Sequence, residues 1–104
     1  MALKVFVSSS SLSQLEEILE YINSVWGNKS AANFANEFIN CINKIEQAPQ
    51  AFPVIIKNKN VHRCVITRHN SMFYRIKENE IEVVFLFDNR QSLSKLKTQL
   101  KRIK

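Results

Sequence analysis

Val61-His62-Arg63-Cys64-Val65-Ile66-Thr67, Met72-Phe73-Tyr74-Arg75-Ile76-Lys77 and Ile81-Glu82-Val83-Val84-Phe85-Leu86-Phe87 are three runs rich in β-branched and aromatic residues, separated by short polar links. Such runs read as consecutive strands of an antiparallel meander. Alternation puts Val61, Arg63, Val65 and Thr67 on one face of the first strand and His62, Cys64, Ile66 and Arg68 on the other. In the second run Met72, Tyr74 and Ile76 oppose Phe73, Arg75 and Lys77. The third run is apolar at every position from Val83 to Phe87, which predicts a central strand covered on both sides. One cover is expected to be helical; the other is the C-terminal tail or a partner.

Upstream, Leu3 to Val7 reads as a short buried strand that Ser8 to Ser11 breaks. Ser13-Gln14-Leu15-Glu16 has the form of a capping box. Leu12, Leu15, Ile18, Leu19, Ile22, Val25 and Trp26 follow at helical spacing, and Gly27, the only glycine, stands where that helix should stop. Phe34, Phe38, Cys41, Ile42 and Ile45 mark a second helix that starts near Asn28 to Ser30 and ends before Pro49. Two amphipathic helices with so short a link pack as an antiparallel hairpin. Gln50 to Asn60 reads as loop, anchored by Phe52-Pro53-Val54. The expected class is α+β: an N-terminal strand, a helical hairpin and a three-stranded meander, all one sheet packed on the helices. Residues 1–92 form the domain, and 93–104 form a basic tail in which Leu93, Leu96, Leu100 and Ile103 recur at helical spacing. That tail packs back on the domain, orders on a partner, or frays.

A chain of 104 residues with 45% hydrophobic content suits one globular domain and is too short for two. With one glycine, most tight turns fall to asparagine, at Asn58-Lys59-Asn60, His69-Asn70 and Glu78-Asn79. Cys41 and Cys64 form no CxxC and stand among apolar residues, so two buried, reduced thiols are expected. With His62 and His69 they make no metal-ligand spacing, and no metal or cofactor is expected. The apolar run at the N-terminus is too short for a signal peptide, and no segment has the ~18 apolar residues of a membrane span. The expected location is the cytoplasm.

The formal net charge is +6, unevenly spread. Residues 1–50 carry three basic and five acidic side chains; residues 95–104 carry five basic and none acidic. From Gln47 to Lys77 there is no carboxylate, yet Lys57, Lys59, Arg63, Arg68, Arg75 and Lys77 are present. That stretch is either a solvated edge that discourages sheet-to-sheet pairing or a surface for phosphates or an acidic partner. No Ser-His-Asp set, P-loop or glycine-rich phosphate cradle is visible. What remains for chemistry is Arg, Tyr and His on the meander. Arg63 and Arg90 suit either a salt bridge, for example to Asp88, or capture of phosphate or carboxylate by the guanidinium fork.

The run from Val61 to Ile76, the strand Ile81 to Phe87 and the segment Asp88-Asn89-Arg90-Gln91 together resemble the RelE/ParE superfamily of bacterial type II toxins, as do the helical hairpin with Trp26-Gly27 and the later Phe52-Pro53. The resemblance spans nearly the whole chain in element order. It implies a growth-inhibiting toxin of a toxin-antitoxin (plasmid stabilisation) system, wrapped by a cognate antitoxin. RelE-like members cut mRNA in the ribosome, and Arg68 and Arg90 match positions where that branch places catalytic arginines. That branch also has a Tyr or His soon after the Arg90 position, whereas Gln91-Ser92-Leu93-Ser94-Lys95-Leu96 has neither. ParE-like members inhibit DNA gyrase and need no catalytic site, and the chain looks closer to them. Arg63, Tyr74, Arg75, Lys95, Lys97, Lys101 and Arg102 are then the expected partner- or phosphate-binding residues. A ribosome-dependent ribonuclease is the alternative, and a plain nucleic-acid-binding domain the second alternative.

Overall fold

The computed structural model describes residues 3–104. Met1 and Ala2, which open the apolar run read against a signal peptide, lie outside the described residues. The elements are β1 (Lys4–Val7), α1 (Ser9–Trp26), α2 (Asn28–Gln47), β2 (Val54–Ile56), β3 (Val61–Thr67), β4 (Asn70–Ile76), β5 (Glu80–Asp88) and α3 (Leu93–Lys101), with single 3-10 turns at Pro49–Ala51 and Lys57–Lys59. One five-stranded sheet runs in the order β1-β5-β4-β3-β2. The meander is antiparallel, but β1 joins β5 in parallel, so the sheet is mixed. None of the described helices is long and apolar enough to cross a membrane.

The double apolar face of β5 comes from a register shift. Phe73 of β4 pairs with Phe85, but the next residue, Tyr74, pairs with Val83. Val84 is the extra residue of a β-bulge, and it reverses the alternation on either side of it. Ile81, Val83 and Leu86 therefore point to the helical hairpin, where they join Phe34, Phe38, Cys41 and Ile45 of α2 and Cys64, Ile66, Met72 and Tyr74 of the sheet. Phe85 and Phe87 point to the other face, with Val61, Phe73 and Ile103. Leu96 and Leu100 complete that second core, so the tail supplies the second cover. Leu93 departs from the expected stripe: it precedes the turn that reaches the sheet and stays 65% exposed.

Two boundaries differ from the sequence reading. Helix α1 begins at Ser9, not at the Ser13 box, and Ser8 is its N-cap, accepting from the Ser11 amide at 3.2 Å. The serines are held there by the sheet. Strand β1 ends at Val7, leaving the edge of β5 bare beyond Val83. The Ser8 amide and the Ser11 hydroxyl both donate to the Val83 carbonyl, at 3.1 and 3.2 Å. The Gln14 side chain then continues the ladder, donating to the Leu86 carbonyl at 3.1 Å and accepting from its amide at 2.8 Å. The segment read as loop also contains β2, three residues paired with β3. It is too short to show a period and is closed off by Pro53 and the Lys57–Lys59 turn.

Gly27 joins the two helices at φ 95°, a backbone state that side chains disfavour, and its amide reaches the carbonyls of Ile22 and Asn23. Of the asparagine turns, only that at Asn60 uses the left-handed region among the described residues, at φ 54°.

Candidate functional site

Arginine 63, expected at a binding surface, is occupied by its own fold. Its Nε donates to the Ser71 hydroxyl at 3.0 Å and its Nη2 to Asn89 Oδ1 at 2.7 Å, while Ser71 also donates to Asn89 at 2.8 Å. The guanidinium carbon sits 5.6 Å from the centre of the Phe73 ring. Asn89 in turn holds the β3–β4 turn: its amide and side chain donate to the carbonyls of His69 (2.8 Å) and Arg68 (3.3 Å). Arg63 thus fixes the turn that carries Arg68 and His69.

Tyr74, also expected at a partner surface, is fully buried. Its face of β4 looks into the hairpin core. Its hydroxyl donates to the Pro49 carbonyl at 2.6 Å, and its ring stacks on His62 at 5.3 Å. Burial holds the phenol well above the usual tyrosine range, so it stays neutral. His62 is equally buried, between the Phe52 carbonyl and the Asn60 side chain.

The remaining cations fall into three places. Arg68 and Arg90 reach one cleft of about 880 Å³ between the hairpin and the far ends of β3, β4 and β5. Arg75 and Arg102 meet at a smaller groove of about 500 Å³ beside Lys104. The Arg75 Nε there donates to the Lys59 carbonyl, and Lys59 itself donates to the Ile103 carbonyl, tying down the end of the chain. Lys95, Lys97 and Lys101 stand exposed along the outer face of α3, apart from both grooves.

The larger cleft has an apolar floor that includes Ile18, Ile22, Phe34 and Leu86. Its hairpin wall carries Glu17, Tyr21, Trp26 and Glu37, and its sheet wall carries Arg68, His69, Asp88 and Arg90. Trp26 and Tyr21 are 70% and 61% exposed. The two arginines differ in availability. Arg90 is clamped by Asp88, with Nε to Oδ1 at 3.0 Å and Nη2 to Oδ2 at 2.7 Å. Those bonds from Arg90 hold the Asp88 carboxyl below its usual range. Arg68 has no side-chain hydrogen bond or ion pair among the described residues, so it alone presents an unspent guanidinium to the cleft. Among the described residues no three His, Cys, Asp or Glu side chains gather as they would around a metal ion.

The sequence reading found Arg68 and Arg90 but not the aromatic pair, the two glutamates or His69. Trp26 and Tyr21 sit at helical spacing beside core residues, so only their exposure reveals them. His69 lies upstream of Arg90 in the chain, and the β3–β4 turn brings it into the same cleft.

Residues 5–93 match the sequence profile of a family described as the ParE toxin of the type II toxin-antitoxin system parDE. No curated protein matches the chain. Several solved structures share the fold at low identity. A chain of the chromosomal ParDE toxin-antitoxin system from P. aeruginosa superposes with a TM-score of 0.72 at 15% identity, covering 84% of this chain and 96% of that one. E. coli toxin RelE, as a mutant in the free state, gives 0.66 at 10% identity with 100% of both chains covered. A copper-bound mutant toxin from Helicobacter pylori gives 0.53 at 22% identity, covering 84% and 94%.

Proposed function

The chain belongs to the ParE toxin family of type II toxin-antitoxin systems, and we propose that it arrests growth by binding a protein target, with DNA gyrase the target expected, until a cognate antitoxin neutralises it in the cytoplasm. The observation that carries the non-enzymatic reading is the state of its arginines. Arg63 is committed to Ser71 and Asn89, Arg90 is neutralised by Asp88, and Tyr74 is buried. Phosphodiester cleavage needs several donors free to meet developing charge, and only Arg68 is free in the cleft. An exposed aromatic pair beside one free guanidinium suits a protein anchor instead, since Trp, Tyr and Arg dominate the binding energy of interfaces. The antitoxin or the target is taken to seat on this cleft.

One observation favours a second reading. His69 and Tyr21 share the cleft with Arg68 and Arg90, and together they offer the proton-transfer groups that a ribonuclease requires. Induced expression in a bacterial host separates the two. The gyrase reading predicts growth arrest with DNA-damage signalling and intact mRNA. New codon-linked ends in primer extension, lost in His69→Ala, would establish the ribonuclease.

A further inference from the structure

Cys41 lies on α2 and Cys64 on β3, and both are buried, at 4% and 2% exposure. Their sulfurs converge on a single atom: each lies within 4.0 Å of the Val65 carbonyl oxygen, Cys41 at 3.4 Å and Cys64 at 4.0 Å. Sharing that one acceptor makes the two sulfurs neighbours inside the same core. We propose that Cys41 and Cys64 are a modification site for a small hydroperoxide, which converts them into a reversible disulfide that staples α2 to β3.

The chemistry assigns the two sulfurs different roles. The hydrogen bond from Cys64 holds the Cys41 thiol below its ordinary value, and the Lys44 charge assists against the opposing effect of burial. The same bond, with burial, pushes the Cys64 thiol up. On this proposal Cys41 supplies the thiolate that attacks the peroxide, and Cys64 is the resolving thiol. Its sulfur bonds to one peroxide oxygen, the O–O bond breaks, and hydroxide leaves and takes up a proton to become water. The product is a sulfenic acid at Cys41. The Cys64 sulfur then attacks the Cys41 sulfur, the S–O bond breaks, and the departing hydroxyl takes the Cys64 proton as a second water. Two electrons pass from the two thiols to one hydroperoxide, and a dithiol reductant reverses the change. Burial favours an oxidant as small as hydrogen peroxide over a bulky disulfide. The bond would close a covalent loop through the end of α2, β2 and the start of β3, restricting separation of the hairpin from the sheet.

The test treats the folded protein with hydrogen peroxide, blocks residual thiols after denaturation, and measures intact mass and tryptic peptides. The expected product has lost two hydrogens, carries a Cys41–Cys64 linked peptide, returns to the dithiol with dithiothreitol, and melts at least about 4 °C higher than the reduced form. Cys64→Ser should leave the Cys41 sulfenic acid unresolved, trappable by dimedone and progressing to the sulfinic acid. Cys41→Ser should leave Cys64 inert at the same dose, which keeps the assignment testable if the first variant folds poorly. The proposal is overturned if both thiols of the wild type stay unmodified at doses that oxidise the unfolded chain. It is equally overturned if the only disulfide is between molecules, or if Cys41 over-oxidises as fast in the wild type as in Cys64→Ser.

Discussion

Arg63, Arg68 and Arg90 look alike in the sequence, and their surroundings give each a different task. Arg63 bridges Ser71 and Asn89 and lies over Phe73. Arg63→Ala removes two hydrogen bonds and leaves the Asn89 oxygen short of a charged donor, so a loss of about 1–3 kcal/mol in denaturant-measured stability is expected. Arg63→Lys should not restore it, because an ammonium cannot reproduce the guanidinium fork. Arg68→Ala should leave the melting temperature unchanged and weaken partner binding by about tenfold or more, as truncation of an anchor arginine does; calorimetric titration against the antitoxin reads this out. Tyr74 gives a pH prediction. Its folded-state value is raised, so the unfolded chain loses the phenolic proton first. Stability is whole below the ordinary tyrosine value of about 10 and falls as pH rises beyond it. Tyr74→Phe should flatten that alkaline decline in urea titrations at successive pH. At this scale the sequence could place Arg68 and Arg90 but not rank them: the Asp88 clamp on Arg90 was foreseeable from a two-residue spacing, whereas the Arg63 network needs Ser71 from β4 and Asn89 from the turn after β5.

Strand β5 is the element on which both cores depend. Its outer edge is satisfied by β1 up to Val83 and then by serine and glutamine side chains of α1. Gln14→Ala orphans the Leu86 amide and carbonyl together and is expected to cost about 1–3 kcal/mol. Its opposite face is covered by α3. Ile103→Ala should cost about 2 kcal/mol or more through the cavity it leaves against the second core, and removal of residues 93–104 should expose Phe73, Phe85 and Phe87 and raise dye binding to apolar surface. The need for two covers was legible, because β5 is apolar at five consecutive positions. The bulge at Val84 was not, since the extra residue shows only once the strand is paired with β4. The start of α1 lies upstream of the Ser13 capping box for a related reason. Four serines look like a break in isolation, and become a helix turn when β5 offers carbonyls to their hydroxyls.

For the whole molecule, charge and shape separate. The acidic hairpin forms one wall of the large cleft, while Arg75, Arg102 and the lysines of α3 stand elsewhere. The basic tail suggested a nucleic-acid surface in the sequence; its apolar residues Leu96, Leu100 and Ile103 pack on the second core while its lysines stay exposed. Element order carried the resemblance to the RelE/ParE superfamily because packing constrains order strongly. The cleft was only half legible, because its walls come from residues about 50 positions apart in the chain. The central claim is that the folded protein acts by occupying a protein target rather than by cutting RNA. The most direct measurement adds the purified protein to purified DNA gyrase and follows supercoiling of relaxed plasmid. The account predicts inhibition that is lost with Arg68→Ala and reversed by the antitoxin. Undiminished supercoiling at saturating protein, with codon-linked cleavage of mRNA on added ribosomes, would contradict it.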